Sequence, residues 1–470
     1  MRKILQFILK ILARRVIKRY KPAVVGITGS VGKTFAKEAI FHVLNRKFWV
    51  RKNEENFNNE IGVPMAVLGI NPVKLPPRGT SVAGFDGVKP ALRQGAIASK
   101  LKILTGLFGG IWLGYGLRQK YPDVLVLELA ADKPGDIKYL TDIVRPQIGV
   151  VTAVGEVPVH VEFYASPQAV AKEKSKLIEQ LPLYNPVKLP DGNYGAGGLA
   201  VLNYDDQTVL DMKERTKAKV VTFGFSHSAD VWVSDTSYFV TDDPSTDSAG
   251  SPQAGSGQAH IGGLSFKINQ DSTFIPARVN NLVGTQQLYG VLAAVVVGLH
   301  FGMNLVDICG MLENVELPEH RMNLVPGVKD TTIIDDTYNA SPLAMRAALD
   351  TLRDFTKAKN SLSGAKRCRK VAVLGDMREL GKYEIETHRA IGNLVGERAD
   401  VLMTVGAAAK FIADSAANQM KPNSIFSFDT SDEAKEKIQE MIREGDVILV
   451  KGSHAMQMEK IVEEITATPI

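Results

Sequence analysis

Apolar residues fall into short unbroken runs separated by stretches of helical spacing. Ala23-Val24-Val25-Gly26-Ile27 is continuous in the way a strand buried on both faces requires, and a Gly-rich turn leads from it into a helical pattern over 33–45. Runs at 124–129 and 148–154 predict two more buried strands, with a helix over 167–180 after the second. Strands alternating with helices predict a parallel sheet of the α/β class. The alternation restarts near residue 320: 332–335 predicts a strand, 342–355 a helix, and 371–374 and 447–450 strands ending at a Gly or Lys-Gly turn. Two α/β units are expected, over 21–318 and 319–470, divided at Leu317-Pro318-Glu319.

Residues 2–19 have a different pattern. Leu5, Ile8, Leu12 and Val16 recur at helical spacing with Ile4 and Ile11 beside them, Lys and Arg fill much of the remaining surface, and Lys21-Pro22 ends the helix. Two roles fit this helix: lying in the interface of an anionic membrane, or docking its apolar stripe on the following unit. Periodicity is lost over 71–120, an insertion rich in Gly, Pro and basic residues, and over the low-complexity stretch 241–263, expected to be a mobile loop between strands.

Composition changes this picture in three places. A chain of 470 residues exceeds what one core usually serves, and 45% hydrophobic with 23% charged residues is ordinary for a globular enzyme. The net charge of +5 is local: residues 1–20 hold seven basic and no acidic residues, leaving 49 basic against 51 acidic elsewhere. Nothing in that near-neutral body suggests a nucleic-acid groove, so no nucleic-acid partner is expected. No run reaches the roughly 18–20 apolar residues of a membrane-crossing helix. The nearest, 103–116, has Gly at five positions, and no A-x-A-like site follows the basic helix, so a cleaved signal peptide is not expected. The two cysteines, Cys309 and Cys368, lie outside any metal or disulfide spacing, which fits a reducing cytoplasm.

The strongest chemical signal is Thr28-Gly29-Ser30-Val31-Gly32-Lys33-Thr34, set between strand and helix. Backbone N–H groups of such a loop cradle phosphate oxygens, a lysine there meets the β- and γ-phosphates, and a Thr hydroxyl sits on Mg²⁺. Ile27 stands where the strict GxxxxGK[ST] spacing has its first Gly. An ordinary strand-to-helix turn is the plainer alternative, and Gly-Lys-Thr in this context argues against it.

The compact TG-[ST]-x-GKT loop resembles that of the Mur ligases and folylpolyglutamate synthases. The resemblance extends through Asn58-Asn59-Glu60-Ile61-Gly62-Val63-Pro64, Leu127-Glu128-Leu129-Ala130-Ala131-Asp132 and His160-Val161-Glu162 to Ala171-Lys172-Glu173-Lys174. Beyond residue 320 it continues through Arg321-Met322, Asp335-Asp336-Thr337-Tyr338-Asn339-Ala340-Ser341-Pro342, Val373-Leu374-Gly375-Asp376-Met377-Arg378-Glu379-Leu380 and Lys451-Gly452-Ser453. DDxYNAxP with VLGDMxELG is similar to the D-alanyl-D-alanine-adding branch of the Mur ligases. This implies a central P-loop ATPase domain with a parallel sheet and a C-terminal Rossmann-like α/β domain. It also implies ATP-dependent amide-bond formation through an acyl phosphate, with a muramyl-peptide precursor and D-Ala-D-Ala as substrates in peptidoglycan synthesis. Localisation is then cytoplasmic, with peripheral contact at the inner face of the membrane through 2–19 if that helix is interfacial.

The same resemblance assigns residues. Gly29, Ser30, Val31, Gly32, Lys33 and Thr34 hold the ATP phosphates, with Arg321 on the phosphates and Asp336 on the ribose or hinge. Thr34 and Glu128 hold one Mg²⁺; His160 and Lys174 belong to a second, with Lys174 carbamylated by CO₂ so that it offers anionic oxygens instead of repelling the ion. Lys33, Lys174, His160 and Glu128 are the expected catalytic set. Asn58, Asn59, Tyr338, Asn339 and Lys451 are expected near substrate, Lys451 at the dipeptide carboxylate. For each there is a plainer role: a capping or salt-bridged carboxylate for Glu128, a structural His160, a solvated basic helix face for Lys174 with Lys172 and Lys176, and an interdomain ion pair for Arg321 and Asp336.

Two departures qualify the resemblance. In Gly284-Thr285-Gln286-Gln287-Leu288-Tyr289-Gly290, the His and Asn residues of the family's GxHNxxN are replaced, which bears on adenine contacts. No counterpart of the family's N-terminal UDP-binding domain is expected, with 27 residues before Thr28. Two alternatives are therefore kept: another amide ligase of the superfamily with a non-UDP or lipid-linked substrate, and a non-catalytic, membrane-tethered nucleotide-binding partner.

Overall fold

The computed structural model describes residues 2–54, 57–70, 109–111, 113–117, 119–183, 186–188, 194–241, 260–363 and 367–467. After helix α1 (Arg2–Tyr20), the chain forms β1 (Ala23–Thr28), α2 (Lys33–Leu44), β2 (Val50–Lys52), α3 (Gly62–Leu68), β3 (Val124–Glu128), α4 (Asp136–Val144), β4 (Ile148–Val151) and α5 (Pro167–Glu179). A short hairpin, β5 (Pro186–Lys188) with β6 (Tyr194–Ala196), precedes β7 (Leu199–Asn203), β8 (Lys219–Gly224), β9 (Val231–Thr241), β10 (His260–Gln270) and β11 (Thr273–Asn280).

Nine of these strands make one sheet in the order β11-β10-β9-β8-β7-β4-β1-β3-β2. From β2 to β9 it is parallel, and β9-β10-β11 is an antiparallel extension. β1 lies between β3 and β4, so the connections leaving it diverge to either side and open a crevice at its carboxyl end, where α/β sheets place their ligands. The β1 residues Val24, Val25 and Ile27 are wholly buried, which a strand covered by helices on both faces demands. One face packs on α2 and the almost uniformly apolar helix Leu288–His300. The other packs on α1, α3 and α4.

Helix α1 is docked. Leu9, Leu12, Ala13, Val16 and Ile17 are buried in a cluster with Val63, Val67, Leu125, Leu140 and Val144. Polar contacts fix it further: Gln6 Nε2 donates to Glu60 Oε1 (3.1 Å), Arg14 Nε to the Asp142 carbonyl (2.9 Å) and Arg19 Nη2 to the Gly116 carbonyl (2.6 Å). The expected stripe is half right. Leu12 and Val16 are buried and Leu5 is partly so, but Ile8 is exposed and Leu9 takes its place. The helix carries apolar residues on two sides, and spacing alone does not say which side docks.

The second sheet comprises β12 (Asn323–Gly327), β13 (Thr331–Asp336), β14 (Lys370–Gly375), β15 (Val401–Val405), β16 (Ile425–Phe428) and β17 (Val447–Lys451), ordered β12-β13-β17-β14-β15-β16. β12 is antiparallel and the rest are parallel, with helices such as Pro342–Ser363 and Glu384–Arg398 against it. Three expected boundaries move. The strand expected over 148–154 stops at Val151, because Ala153 turns aside to bridge Val31. The helix from Pro342 runs on to Ser363. The expected loop 241–263 is strand at Thr241 and again from His260, since these residues pair across β9 and β10; 242–259 lies outside the described residues, as does most of 71–120.

Candidate active site

The turn from β1 into α2 follows from two glycines. Gly29 has φ +147°, and a Cβ there would stand 2.1 Å from Thr152 Oγ1; Gly32 has φ +85° as it enters α2. No side chain caps that helix among the described residues, so its first N–H groups remain available to an anion. The Ser30 and Val31 amides are committed elsewhere: both donate to the Ala153 carbonyl, at 2.5 and 3.3 Å, and Thr152 Oγ1 donates to the Val31 carbonyl (2.6 Å). These two residues hold the loop in shape. The Ser30 hydroxyl, buried without a partner among the described residues, faces the cleft.

A cleft of about 280 Å³ runs from this loop to the second sheet. It is lined by Ser30 to Thr34, Asn58, Glu128, Asp132, His160 and Lys174 from the first unit, and by Arg321, Asp336, Tyr338, Asn339 and Lys451 from the second. Glu128 ends β3 in the crevice. Thr34 Oγ1 donates to its Oε2 (3.0 Å) and Asn58 Nδ2 to its Oε1 (2.9 Å). Asn53, which no sequence pattern singled out, grips the Glu128 backbone from both sides: its Nδ2 donates to the Glu128 carbonyl (3.1 Å) and its Oδ1 accepts the Glu128 N–H (2.8 Å). Burial alone would raise the Glu128 carboxyl, but the Lys33, Lys37 and Arg321 charges and the Asn58 bond outweigh it and hold it below the usual range. Burial pulls the Lys33 amine down, and Glu128 opposes that.

Lys174 is 1% exposed, and its Nζ donates to the Gly29 carbonyl (2.9 Å), directly beneath the phosphate loop. Burial, reinforced by the Lys33 charge, lowers its amine to about 7. Lys176, which could be mistaken for it in sequence, pairs with Glu173 at 2.5 Å. His160 has a left-handed backbone (φ 67°); its Nδ1 lies 2.5 Å from Glu379 Oε2 of the second unit and its Nε2 lies 3.6 Å from Asp132 Oδ1. Asp132 and Glu379 were visible as motif residues but not as partners of His160.

In the second unit, Arg321 stacks over the Tyr338 ring at 3.8 Å, and its buried Nε has no partner among the described residues, which leaves it open to an anion. The residues on either side, His320 (φ 57°) and Met322 (φ 59°), are both left-handed, a conformation that costs non-glycine residues energy and holds Arg321 over the cleft. Lys451 is 2% exposed and committed to Asp336 Oδ2 (2.5 Å) and the Asn339 carbonyl (2.9 Å). Asn59 is not a lining residue of the cleft: its Oδ1 accepts the Ile61 and Gly62 amides at the start of α3. Gln286 and Gln287 line the cleft, with Gln287 Nε2 donating to the Arg321 carbonyl (3.4 Å).

Thr34 and Glu128 offer a hydroxyl and a carboxylate 3.0 Å apart, the hard oxygen donors that suit Mg²⁺. His160 and Lys174 line the same cleft. As an amine Lys174 is no ligand, and among the described residues no group of three His, Cys, Asp or Glu side chains is placed to hold a metal. The site thus joins an anion-binding loop, one carboxylate–hydroxyl pair, three cations and a buried reactive amine.

Residues 115–298 match the Mur ligase middle domain and residues 320–454 the Mur ligase glutamate ligase domain. The chain is 26% identical over 460 residues to the UDP-N-acetylmuramoyl-tripeptide--D-alanyl-D-alanine ligase of Bacillus subtilis, covering 98% of this chain and 79% of that protein. It is 29% identical over 452 residues to the ligase of that name from Mycobacterium leprae, covering 92% and 71%. The fold matches the MurF ligase of Thermotoga maritima in complex with ADP, with TM-score 0.68 at 22% identity over 98% of this chain and 83% of that one.

Proposed function

We propose a function for a chain that belongs to the Mur ligase family: it is an ATP-dependent ligase that joins D-Ala-D-Ala to a muramyl-tripeptide precursor in peptidoglycan synthesis. The observation that carries this reading is the meeting of the Lys33 loop and the Thr34–Glu128 pair with Arg321 across one cleft. In the reaction, a peptide carboxylate oxygen attacks the γ-phosphorus of ATP and ADP leaves. The dipeptide amine then attacks the acyl carbon, expelling phosphate and losing a proton. Two anions must approach in the first step, so cations have to offset their repulsion. Lys33 and Arg321 stand on opposite walls to do so, and the free N–H groups of α2 bind phosphate. Mg²⁺, held at Thr34 and Glu128, would add charge neutralisation at the phosphates. His160 and a carbamylated Lys174 would serve a second ion. Asn58 fixes Glu128, and Tyr338 and Asn339 border the substrate end. Lys451 acts through Asp336, positioning it at the nucleotide. We take 21–318 as the ATP-binding unit and 319–470 as the unit that closes on it. Peripheral contact with the inner face of the cell membrane through 2–19 belongs to the same proposal, with the helix docked.

The test is ADP release measured with muramyl tripeptide and D-Ala-D-Ala, each alone and together, using UDP-linked and lipid-linked acceptors in parallel. Turnover requiring both substrates is expected. Lys33→Ala should lower it about 10²–10³-fold while thermal unfolding stays unchanged. Normal turnover by the folded variant would remove the assignment.

A further inference from the structure

The docked helix has a second face. Lys3, Ile4, Phe7, Ile8, Ile11, Arg14, Arg15 and Lys18 are all exposed and recur at spacings of three and four, on the side of α1 opposite Leu9, Leu12 and Val16. Ile4 is 65% exposed, Phe7 63% and Ile11 43%, values unlike those of a helix that has finished burying its apolar residues. The four apolar residues occupy the N-terminal half of this face. Arg14, Arg15 and Lys18 occupy the C-terminal half. Beside it Ile111, Tyr115 and Leu117 are also exposed, with the Arg15 guanidinium 5.0 Å from the Tyr115 ring centre.

We propose that this outward face of α1 binds the surface of an anionic lipid bilayer, seating Ile4, Phe7, Ile8 and Ile11 among the acyl-chain ends while the basic residues meet lipid phosphates. This rests on the peripheral-contact reading for its partner and is independent of the ligase chemistry. Charge complementarity selects the partner. The helix has seven basic and no acidic residues, whereas the rest of the chain is balanced at 49 against 51. Stacking the face on a second copy of itself would set these cations against each other. A helix with large apolar side chains flanked by Lys and Arg lies in the headgroup region, and docking on the protein removes the ordering cost that a free peptide meets on binding. The docked side ties the helix to the first unit near the site: Gln6 and Arg2 contact Glu60 at 3.1 and 3.6 Å, two residues from Asn58.

The full chain should co-sediment at low salt with vesicles of phosphatidylglycerol and phosphatidylcholine, weakly with phosphatidylcholine alone, and less at high salt. Each basic residue near such a surface is worth roughly five-fold in partitioning, so Lys3→Glu with Lys18→Glu should lower binding by more than about ten-fold. Phe7→Ser with Ile11→Ser should abolish it, and both double variants should keep the parent's unfolding temperature and its solution turnover. The Phe7→Trp variant should shift its emission to the blue on adding anionic vesicles. Absence of binding at low salt would overturn the proposal. So would binding that survives both double variants. If the indole introduced by Phe7→Trp already emits in the blue without lipid, the proposal also falls, because another part of the chain or a second copy then covers the face. Absence of turnover by the parent chain with soluble substrates would instead count against the ligase assignment and leave the vesicle result standing.

Discussion

Lys174 combines complete burial with a carbonyl, not a carboxylate, as the partner of its amine. Its value falls to about 7 because burial penalises the ammonium and Lys33 repels it. In the unfolded chain the same amine titrates near 10.5, so between about 7 and 10.5 the unfolded state holds a proton that the folded state lacks. Stability attributable to this residue therefore rises with pH across that window and is lowest below it. Replacing the amine with a thioether, Lys174→Met, should raise the unfolding temperature at pH 7 in bicarbonate-free buffer while removing activity. The lowered value also suits carbamylation, in which the neutral nitrogen attacks CO₂ and a proton is lost. Turnover should need bicarbonate and fall as pH drops below about 7, where the neutral fraction decreases about ten-fold per pH unit. Lys174→Ala should cost about 10²-fold, and formate or acetate should restore part of it by supplying the missing oxygens. A flat bicarbonate response across pH 6–8 would argue for a purely structural amine.

At the scale of elements, α1 divides adjacent residues between two environments, which predicts opposite responses to one substitution. Leu12→Ala removes a side chain buried among Leu125, Val67 and their neighbours and should cost about 2–4 kcal/mol in urea unfolding. Ile11→Ala, one position away and exposed, should stay within about 0.5 kcal/mol of the parent. Equal effects would mean that the helix does not dock as described. This helix also marks where sequence stops being informative. β1, β3, β13, β14 and β17 were legible because strands covered on both faces have unbroken apolar runs, and the Gly-Lys-Thr turn between β1 and α2 has local chemistry. The pairing of Thr34 with Glu128 was legible too, since each ends or follows one of those strands. The docked face of α1 was not, because Leu5, Ile8, Leu12 and Val16 satisfy helical spacing as well as Leu5, Leu9, Leu12 and Val16 do. Nor were the β9–β11 extension, Asn53 under Glu128, or the Ala153 carbonyl that takes the Ser30 and Val31 amides. The extension was hidden by the low-complexity stretch between β9 and β10, whereas the Asn53 and Ala153 contacts join loops far apart in the chain, to which periodicity has no access.

Across the whole molecule, the two units meet at the carboxyl ends of their sheets, and His160 joins them. Its Nδ1 lies 2.5 Å from Glu379, and the adjacent Glu162 N–H donates to the Glu379 carbonyl (3.3 Å). The His160 imidazole beside it holds the Glu379 carboxyl below its ordinary value. With Nδ1 beside the Glu379 carboxylate, Nε2 is the ring nitrogen turned toward Asp132, 3.6 Å away. Glu379 thus meets His160 across the two units, which also set Arg321 and the Lys33 loop on one cleft, an arrangement that would keep water from a reactive acyl phosphate. If His160 works through this contact, removing either partner loses the same thing. His160→Ala and Glu379→Ala should each lower turnover, and the double variant should cost little more than the worse single one, a coupling of about 1–2 kcal/mol in a double-mutant cycle. Both singles should also enlarge the radius of gyration of the ATP-bound enzyme by solution scattering, because the contact crosses the units. Were His160 needed only as a ligand, Glu379→Ala would leave scattering unchanged and the two costs would add. The cycle and the scattering together separate an orienting contact from a lone ligand without requiring a metal to be seen.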